Sequence, residues 1–291
     1  MARIVVLGNG QLGAALAALG GPAVRVFDRS VLDLADTAAI GPMLTAAKPD
    51  LVINAAAYNK VDEAERRPEV AFAINATAPA EIARACATVG ARLVHVSTDY
   101  VFDGALGRPY LEDDLPTPLS VYGAGKLAGE HLVRAYAGAG ALIVRTSGVF
   151  GSAGPEVGKG GNFVRSIVRQ AAAGQPLRVV DDQTTSPTFA YDLAWAILSL
   201  AERKAGGLLH VTNAGSCTWY RFARAILELT GIDVPLTPTT SEAQVDRARR
   251  PTYSVLSGAR LAGLGIVMPP WRDGLARYLR EIGATEERRM P

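Results

Sequence analysis

The chain has 291 residues, 49% of them apolar and 20% charged, enough for a large core in one big or two modest soluble domains. A net charge of +2, with no arm or stripe of Lys and Arg, argues against a surface built mainly for nucleic acid or anionic membrane. The two cysteines, Cys86 and Cys217, lie far apart without metal-type spacing and are expected as reduced core or subsurface thiols, a disulfide between them staying open.

Arg3 to Leu7 is an apolar run of strand length. Gly8-Asn9-Gly10-Gln11-Leu12-Gly13 follows, then an alanine- and leucine-rich helical stretch to Leu19. A strand ending in Gly-x-Gly-x-x-Gly and entering a helix lets backbone N–H groups approach a pyrophosphate at the helix N-terminus. Ile4 to Val24 carry no charge, but five glycines, Asn9, Gln11 and Pro22 interrupt them, so they read as strand, turn and helix rather than export signal or membrane span. A soluble, cytoplasmic protein is expected. The next strand, Ala23 to Phe27, ends in Asp28, twenty residues after Gly8. A carboxylate there can accept bonds from adenosine ribose hydroxyls and favour NADH. Arg29 could instead meet a 2′-phosphate, which leaves NADPH open; a turn carboxylate beside a solvated arginine is the reading without function. Asp33 and Leu34 are counted with the cofactor contacts, and Asp36 is a candidate helix N-cap. Pro49 to Asn54 is a third strand running into Ala55, Ala56, Ala57 and Tyr58. Small side chains there let a cofactor lie against the backbone, although a tightly packed helix start would use them equally. Asn75 sits in an alanine-rich helical pattern from Ala71 to Val89. A buried amide needs partners, and water, a lysine or a plain core bond would each serve.

From Arg92 an apolar run delivers Ser97, Thr98 and Asp99 at its C-terminal end, where open parallel sheets hold their ligands. If Tyr122 opens the following helix, Lys126 lies four residues on, on the same face. A nearby cation favours phenolate, pulling a pKa of ~10 towards neutrality, where proton transfer is efficient. Thr98 can hydrogen-bond the carbonyl oxygen that Tyr122 protonates. Tyr-x-x-x-Lys alone is common on surfaces; the Ser-Thr strand end and the glycine turn are the context that makes it a trio for carbonyl–alcohol interconversion.

Leu142 to Gly151 is a further strand. Strand–helix alternation from residue 3 to 150 specifies an α/β fold, a Rossmann-type doubly wound parallel sheet. Residues 1–150 are read as an NAD(P)-binding domain and 151–291 mostly as a smaller substrate-binding region, with segments around 180–212 returning to the sheet. Ser152 to Gly161 reads as a mobile loop, Asn162-Phe163 opens a helix to Ala173, and Leu177 to Val180 is a strand. A polar turn containing Gln183 leads to a helix from Tyr191 to Glu202. Leu208 to Val211, a helix from Tyr220 to Thr230 and a last helix from Arg272 to Ile282 follow; the tail Glu286 to Arg289 is expected to be disordered.

Taken together, Gly10-Gln11-Leu12-Gly13, Asn54 to Tyr58 with Val61-Asp62, Ser97 to Gly104, Tyr122 to Glu130, Asn162 to Arg165, Asp182-Gln183 with Pro187-Thr188, Trp219-Tyr-x-Phe-Ala and Arg250-Pro251 resemble the dTDP-4-dehydrorhamnose reductase family of extended short-chain dehydrogenases/reductases. The resemblance implies hydride transfer from NADPH or NADH to the C4 carbonyl of dTDP-4-dehydro-L-rhamnose, a dTDP-linked 4-keto-6-deoxy sugar. It makes Tyr122 the proton donor and a cofactor contact, gives Lys126 the tasks of lowering the phenol's pKa and binding the nicotinamide ribose, and has Thr98 orient the carbonyl. Asp99, Asn162, Phe163 and Gln183 become sugar contacts, and Asn75 a member of the proton relay. Four positions depart from the family pattern. The glycine turn is one residue shorter than usual; Gly148 stands where a tryptophan is common and Thr185 where a glycine is common; Gly125 replaces a Ser or Thr. Ala15 occupies the place of a glutamate that bridges Mg²⁺ between subunits in some members, so Mg²⁺ is doubtful and no metal is assigned; a homodimer stays open. Two alternatives accompany this reading: a reductase of another nucleotide-linked 4-keto deoxysugar, and a non-catalytic subunit like the regulatory subunit of methionine adenosyltransferase.

Overall fold

The computed structural model describes residues 2–152, 161–243 and 247–285. The first half alternates as expected: β1 (Ile4–Leu7), α1 (Gln11–Gly20), β2 (Val24–Phe27), α2 (Thr37–Ala47), β3 (Leu51–Asn54), α3 (Val61–Arg66), α4 (Pro68–Phe72), α5 (Ala78–Val89), β4 (Arg92–Thr98), α6 (Val121–Ala137) and β5 (Leu142–Thr146). A π-helical turn, Ala73–Thr77, joins α4 to α5. The second half adds β6 (Val149–Phe150), α7 (Phe163–Ala172), β7 (Leu177–Val180), β8 (Thr184–Thr185), β9 (Thr188–Phe189), α8 (Ala190–Glu202), β10 (Gly207–His210), β11 (Cys217–Thr218), α9 (Trp219–Thr230), β12 (Leu236–Thr239), α10 (Ala259–Gly263) and α11 (Trp271–Glu281). The loop read from Ser152 to Gly161 falls, apart from its two ends, outside the described residues, as does the Glu286 to Arg289 tail.

The strands assemble as a six-stranded sheet in the order β10-β5-β4-β3-β1-β2, every pair parallel. Period-two alternation along each strand sends neighbouring side chains to opposite faces. Val6, Ile53 and Val94 therefore pack under Leu16 of α1 and Ile197 and Leu200 of α8. Val5, Val52 and Leu93 meet Ile40 and Leu44 of α2, Ile82 of α5 and Val133 of α6 on the other face. Each such buried aliphatic side chain contributes roughly 1.5–3 kcal/mol. With helices on both faces the sheet is doubly wound, and its hydrophobic strands are those of a sheet buried on both sides. The strand missing from the first half is β10, which pairs with β5 in the register Leu209 to Val144.

A second core lies beyond the sheet's edge. Val164 of α7, Phe222 and Ile226 of α9, and Leu275, Tyr278 and Leu279 of α11 enclose Phe150 and Phe189. Three two-stranded pairs, β11 with β8, β12 with β7 and β6 with β9, tie these helices together. Strand order reverses between β1 and β3, and the crevice outside the carboxyl ends of those strands is where an open α/β sheet takes a ligand.

Candidate active site

Two clefts open along the carboxyl ends of the strands. The first lies over the reversal point. Gly8 and Gly10 form its floor, Asp28, Arg29, Asp33 and Leu34 one wall, and Ala55, Ala56 and Ala57 the other. Gly8 turns with φ +97°, and its N–H donates to Phe27 O at 2.8 Å. A Cβ built on Gly13 would stand 1.9 Å from Gly8 O, so α1 starts in backbone contact with the turn and only glycine fits. No side chain caps α1 at Gly10 and its first turn holds no acidic residue, which keeps the positive end of the helix available to an anion. Leu12 is buried in the core, so only its main chain can face the cleft. These features fit a dinucleotide: glycines where a pyrophosphate would lie, alanines alongside, and a carboxylate at the end of β2. Asp28 also organises its own turn, Oδ1 accepting from Ser30 N at 2.9 Å, Ser30 Oγ at 2.6 Å and Val31 N at 3.2 Å. Arg29 donates from Nε to Asp33 Oδ2 at 3.1 Å, a solvated pair at the rim.

The second cleft is reached past Asn59, which lines both. Thr98, Asp99 and Tyr122 line one side; Phe163, Gln183 and Trp219 line the other. Gly148, Thr185, Pro251 and Ser254 line it as well. Thr98 and Asp99 arrive there because β4 ends there. Tyr122 arrives because Ser120 Oγ accepts from Gly123 N at 3.1 Å, capping α6 one residue before the helix begins at Val121. A Cβ on Gly123 would meet Tyr100 O at 2.2 Å, so glycine next to Tyr122 lets the helix start press against the end of β4. The Tyr122 ring meets Tyr100 edge to face with centroids 5.9 Å apart.

Lys126 is where its spacing requires, one turn along α6 and 2% exposed, but its ammonium donates to Val96 O at 2.7 Å. Desolvation pushes the Lys126 pKa down to about 8, against the opposing charge of Glu130. The expected drop in the Tyr122 pKa is not found. Desolvation pushes the phenol up to about 12; the bond with Thr98 works the other way and the Asp99 charge adds to the rise. Exclusion from water outweighs the Thr98 bond, so the phenol holds its proton. Asp99 is raised as well, to about 6, again by desolvation and against bonds from Ser254, Ser147 and Thr98.

Asn75 and Asn162 are both engaged in holding the backbone and loops. Asn75, fully buried on the π-helical turn, accepts from Tyr58 N at 2.8 Å and donates to Tyr58 O at 3.1 Å. Both ends of the amide clamp the loop that separates the clefts, and the plain core bond is the partner found. Asn162 does not line the sugar-side cleft. Its Oδ1 caps α7 by accepting from Arg165 N at 3.0 Å, and its Nδ2 reaches Gln11 Oε1 at 3.0 Å and Tyr278 Oη at 2.9 Å. Asn162 thereby joins the glycine turn to the second core, while its neighbour Phe163 lies in the cleft, 4.8 Å between centroids from Trp219. Ser254 carries no signal in sequence that points to this cleft, and Trp219 belongs to a motif of the family resemblance without an expected role in the site. Arg250 bonds Asp62 at 2.9 and 3.1 Å, a bridge between two motif segments that spacing alone does not pair.

Among the described residues no helix is long and apolar enough to cross a membrane, and no group of three or more His, Cys, Asp or Glu could hold a metal ion. Cys86 and Cys217 are free and buried.

The family model for the RmlD substrate binding domain matches residues 2–284. A dTDP-4-dehydrorhamnose reductase of Mycobacterium tuberculosis is 43% identical over 302 residues, covering 99% of this chain and 97% of its own length. The spore coat polysaccharide biosynthesis protein SpsK of Bacillus subtilis is 37% identical over 285 residues, 97% of this chain and 98% of its own. A crystal structure of dTDP-4-dehydrorhamnose reductase from Bacillus anthracis in complex with NADP superposes with a TM-score of 0.91 at 36% identity, over 96% of this chain and 99% of that one. The order of motifs, the doubly wound sheet and a match over nearly the full length agree: the chain belongs to the RmlD substrate-binding-domain family, to which it is joined through the dTDP-4-dehydrorhamnose reductases.

Proposed function

We infer that the protein is an NAD(P)H-dependent oxidoreductase that reduces the C4 keto group of dTDP-4-dehydro-β-L-rhamnose to the alcohol of dTDP-β-L-rhamnose. The observation that carries this reading is the meeting of Thr98, Asp99 and Tyr122 in a cleft that adjoins the glycine-turn groove at Asn59. Bound NADPH or NADH supplies the hydride. Residues 1–150 hold the cofactor in this reading, and 151–291 mostly hold the sugar nucleotide, with α8 and β10 belonging to the first unit. Asp99, Phe163 and Gln183 bind the sugar side, while Asn162 acts on it indirectly by holding Phe163.

The protonated Tyr122 phenol gives its proton to the C4 oxygen as negative charge develops there, a downhill transfer because an alkoxide is far more basic than a phenolate. Thr98 steers the carbonyl. Lys126, one helical turn away, supplies the positive charge that balances the phenolate left behind and binds the nicotinamide ribose. The intact Thr98, Tyr122 and Lys126 favour an enzyme over a non-catalytic subunit. Because its reductant belongs to the cytoplasmic pool, we place the protein in the cytoplasm.

The direct test is NADPH oxidation with dTDP-4-dehydro-L-rhamnose, made from dTDP-glucose-derived 4-keto intermediates, with identification of the product. Gly148 and Thr185, which line the cleft, support one competing reading, another dTDP-linked 4-keto deoxysugar. A preference of roughly tenfold, about 1.4 kcal/mol, for such a sugar would replace the substrate assigned here.

Two variants probe the cofactor groove. Asp28→Ala should weaken NADH by about tenfold or more, the size of a hydrogen bond to a charged group, and NADPH by less. Equal losses in fluorescence titrations would assign Asp28 only to its turn. Gly13→Ala forces α1 away from Gly8 O and should weaken both dinucleotides by roughly 5- to 150-fold, the equivalent of about 1–3 kcal/mol of overpacking strain. Unchanged affinity would mean that the pyrophosphate lies elsewhere.

A further inference from the structure

The wall behind the sugar-side cleft holds a run of hydroxyls that the reduction as derived above does not use. Ser147 Oγ donates to Asp99 Oδ2 at 2.7 Å and stands 2.5 Å from Thr185 Oγ1. A serine has one proton, so with that proton on the carboxylate the Thr185 hydroxyl must donate to Ser147. On the other side Thr98 Oγ1 donates to Asp99 Oδ1 at 3.1 Å, and Thr98 is in turn bonded to Tyr122. Thr185, Ser147, Asp99 and Thr98 are all buried, at 3%, 1%, 3% and 6% exposure. Ser147 does not line the cleft, so it reaches a substrate only through its partners Asp99 and Thr185, which do.

Thr98 also has one proton. While Asp99 is ionised that proton points at the carboxylate, and Thr98 offers the reacting oxygen only lone pairs. Once Asp99 is protonated, Thr98 can turn its proton onto the oxygen where negative charge develops. Ser254 also donates to the Asp99 carboxylate. Each donor favours the ionised form, and a donor that is itself receiving a bond, as Ser147 is, donates more strongly. Among the described residues, the titratable groups that interact with Asp99 are Tyr122 on α6 and Tyr100 on its own turn, the latter bonded to Arg250.

We propose that Ser147 and Thr185 are positioning residues for the reduction: acting through Asp99, their hydroxyl chain sets the pH at which Thr98 turns from the carboxylate to the substrate's carbonyl oxygen. This rests on the reductase reading of the same cleft. Burial brings the Asp99 carboxyl to about 6, so both of its protonation states are populated in the weakly acid to neutral range.

The test is NMR titration of the Asp99 carboxyl carbon in ¹³C-aspartate-labelled protein, the signal being identified by its loss in Asp99→Asn, alongside the pH profile of kcat. Ser147→Ala should raise the Asp99 transition by roughly one pH unit. Thr185→Val should raise it by less, and Thr185→Ser should restore it. Reduction should slow as pH rises through the Asp99 transition, and that limb should move with the NMR titration in each variant. An unmoved carboxyl titration in Ser147→Ala, or a kcat limb that stays while the titration moves, overturns the proposal. If Ser147→Ala does not fold, the Thr185→Val and Thr185→Ser pair decides by the same criteria, and a Val titration equal to wild type overturns it. The titration needs no turnover. Wild-type protein inactive on the rhamnose precursor would sink the assigned reaction and, with it, the role of the chain in that reaction, whereas an active enzyme with an unmoved titration would sink the chain alone.

Discussion

Replacing Tyr122 by Phe should cut kcat by roughly 10²–10⁴-fold, the usual contribution of a positioned general acid, while leaving the affinity for NADPH nearly unchanged. The phenol oxygen is the one atom removed. The ring's edge-to-face contact with Tyr100 survives the change, and Tyr122 does not line the glycine-turn groove, so binding and packing are preserved. The structure sharpens the expectation. A phenol pushed up to about 12 remains protonated through the neutral range, so Tyr122 is poised to donate and should add no alkaline limb near neutrality in the reducing direction. Two ionisations flank that range: Asp99, raised to about 6, and Lys126, lowered to about 8, whose loss of charge removes the balance for a phenolate. A decline in kcat above that value in the wild type, measured by NADPH oxidation across pH, therefore belongs to Lys126. An unchanged kcat in Tyr122→Phe would take the acid's role away from Tyr122 altogether.

Glu130→Ala should cost about 3–5 kcal/mol of stability, the penalty for stranding one member of a buried ion pair. Glu130 and Arg145 are 2% and 3% exposed at their side chains. Arg145 Nε meets Oε1 at 2.9 Å and Nη2 meets Oε2 at 2.7 Å, a two-point pairing, while Ser97 Oγ donates to Oε1 at 2.5 Å. Removing the carboxylate leaves a buried guanidinium without its ion-pair partner, with the face of Phe102, 5.0 Å from its carbon to the ring centroid, as partial compensation. The damage should spread to the site, because Ser97 precedes Thr98 and pairs with Arg145 across β4 and β5. Denaturant unfolding measures the loss. The double change Glu130→Leu with Arg145→Met should recover most of it, since an apolar pair needs no counter-charge. A loss of about 1 kcal/mol or less in Glu130→Ala would make the pair no more than a surface-like contact.

Whatever depends on neighbours in sequence could be read without coordinates. The glycine turn between an apolar run and an alanine-rich helix is one such case, because strand, turn and helix are consecutive and their N–H groups converge by local geometry alone. Tyr122 and Lys126 are another, four residues apart on one helix, and the end of β4 places Thr98 and Asp99 for the same reason. Packing between distant segments was not legible. Nothing in the spacing joins Asp99 to Ser147 and Thr185, Asp62 to Arg250, or Asn75 to the Tyr58 backbone; strand order and helix docking create those pairs. The sense of the Tyr122 shift belongs to the same class. A cation one turn away argues for an acidic phenol, but the ammonium bonds Val96 O and the phenol is shut off from water, and desolvation is a property of the whole fold, which no pair of residues carries in its spacing.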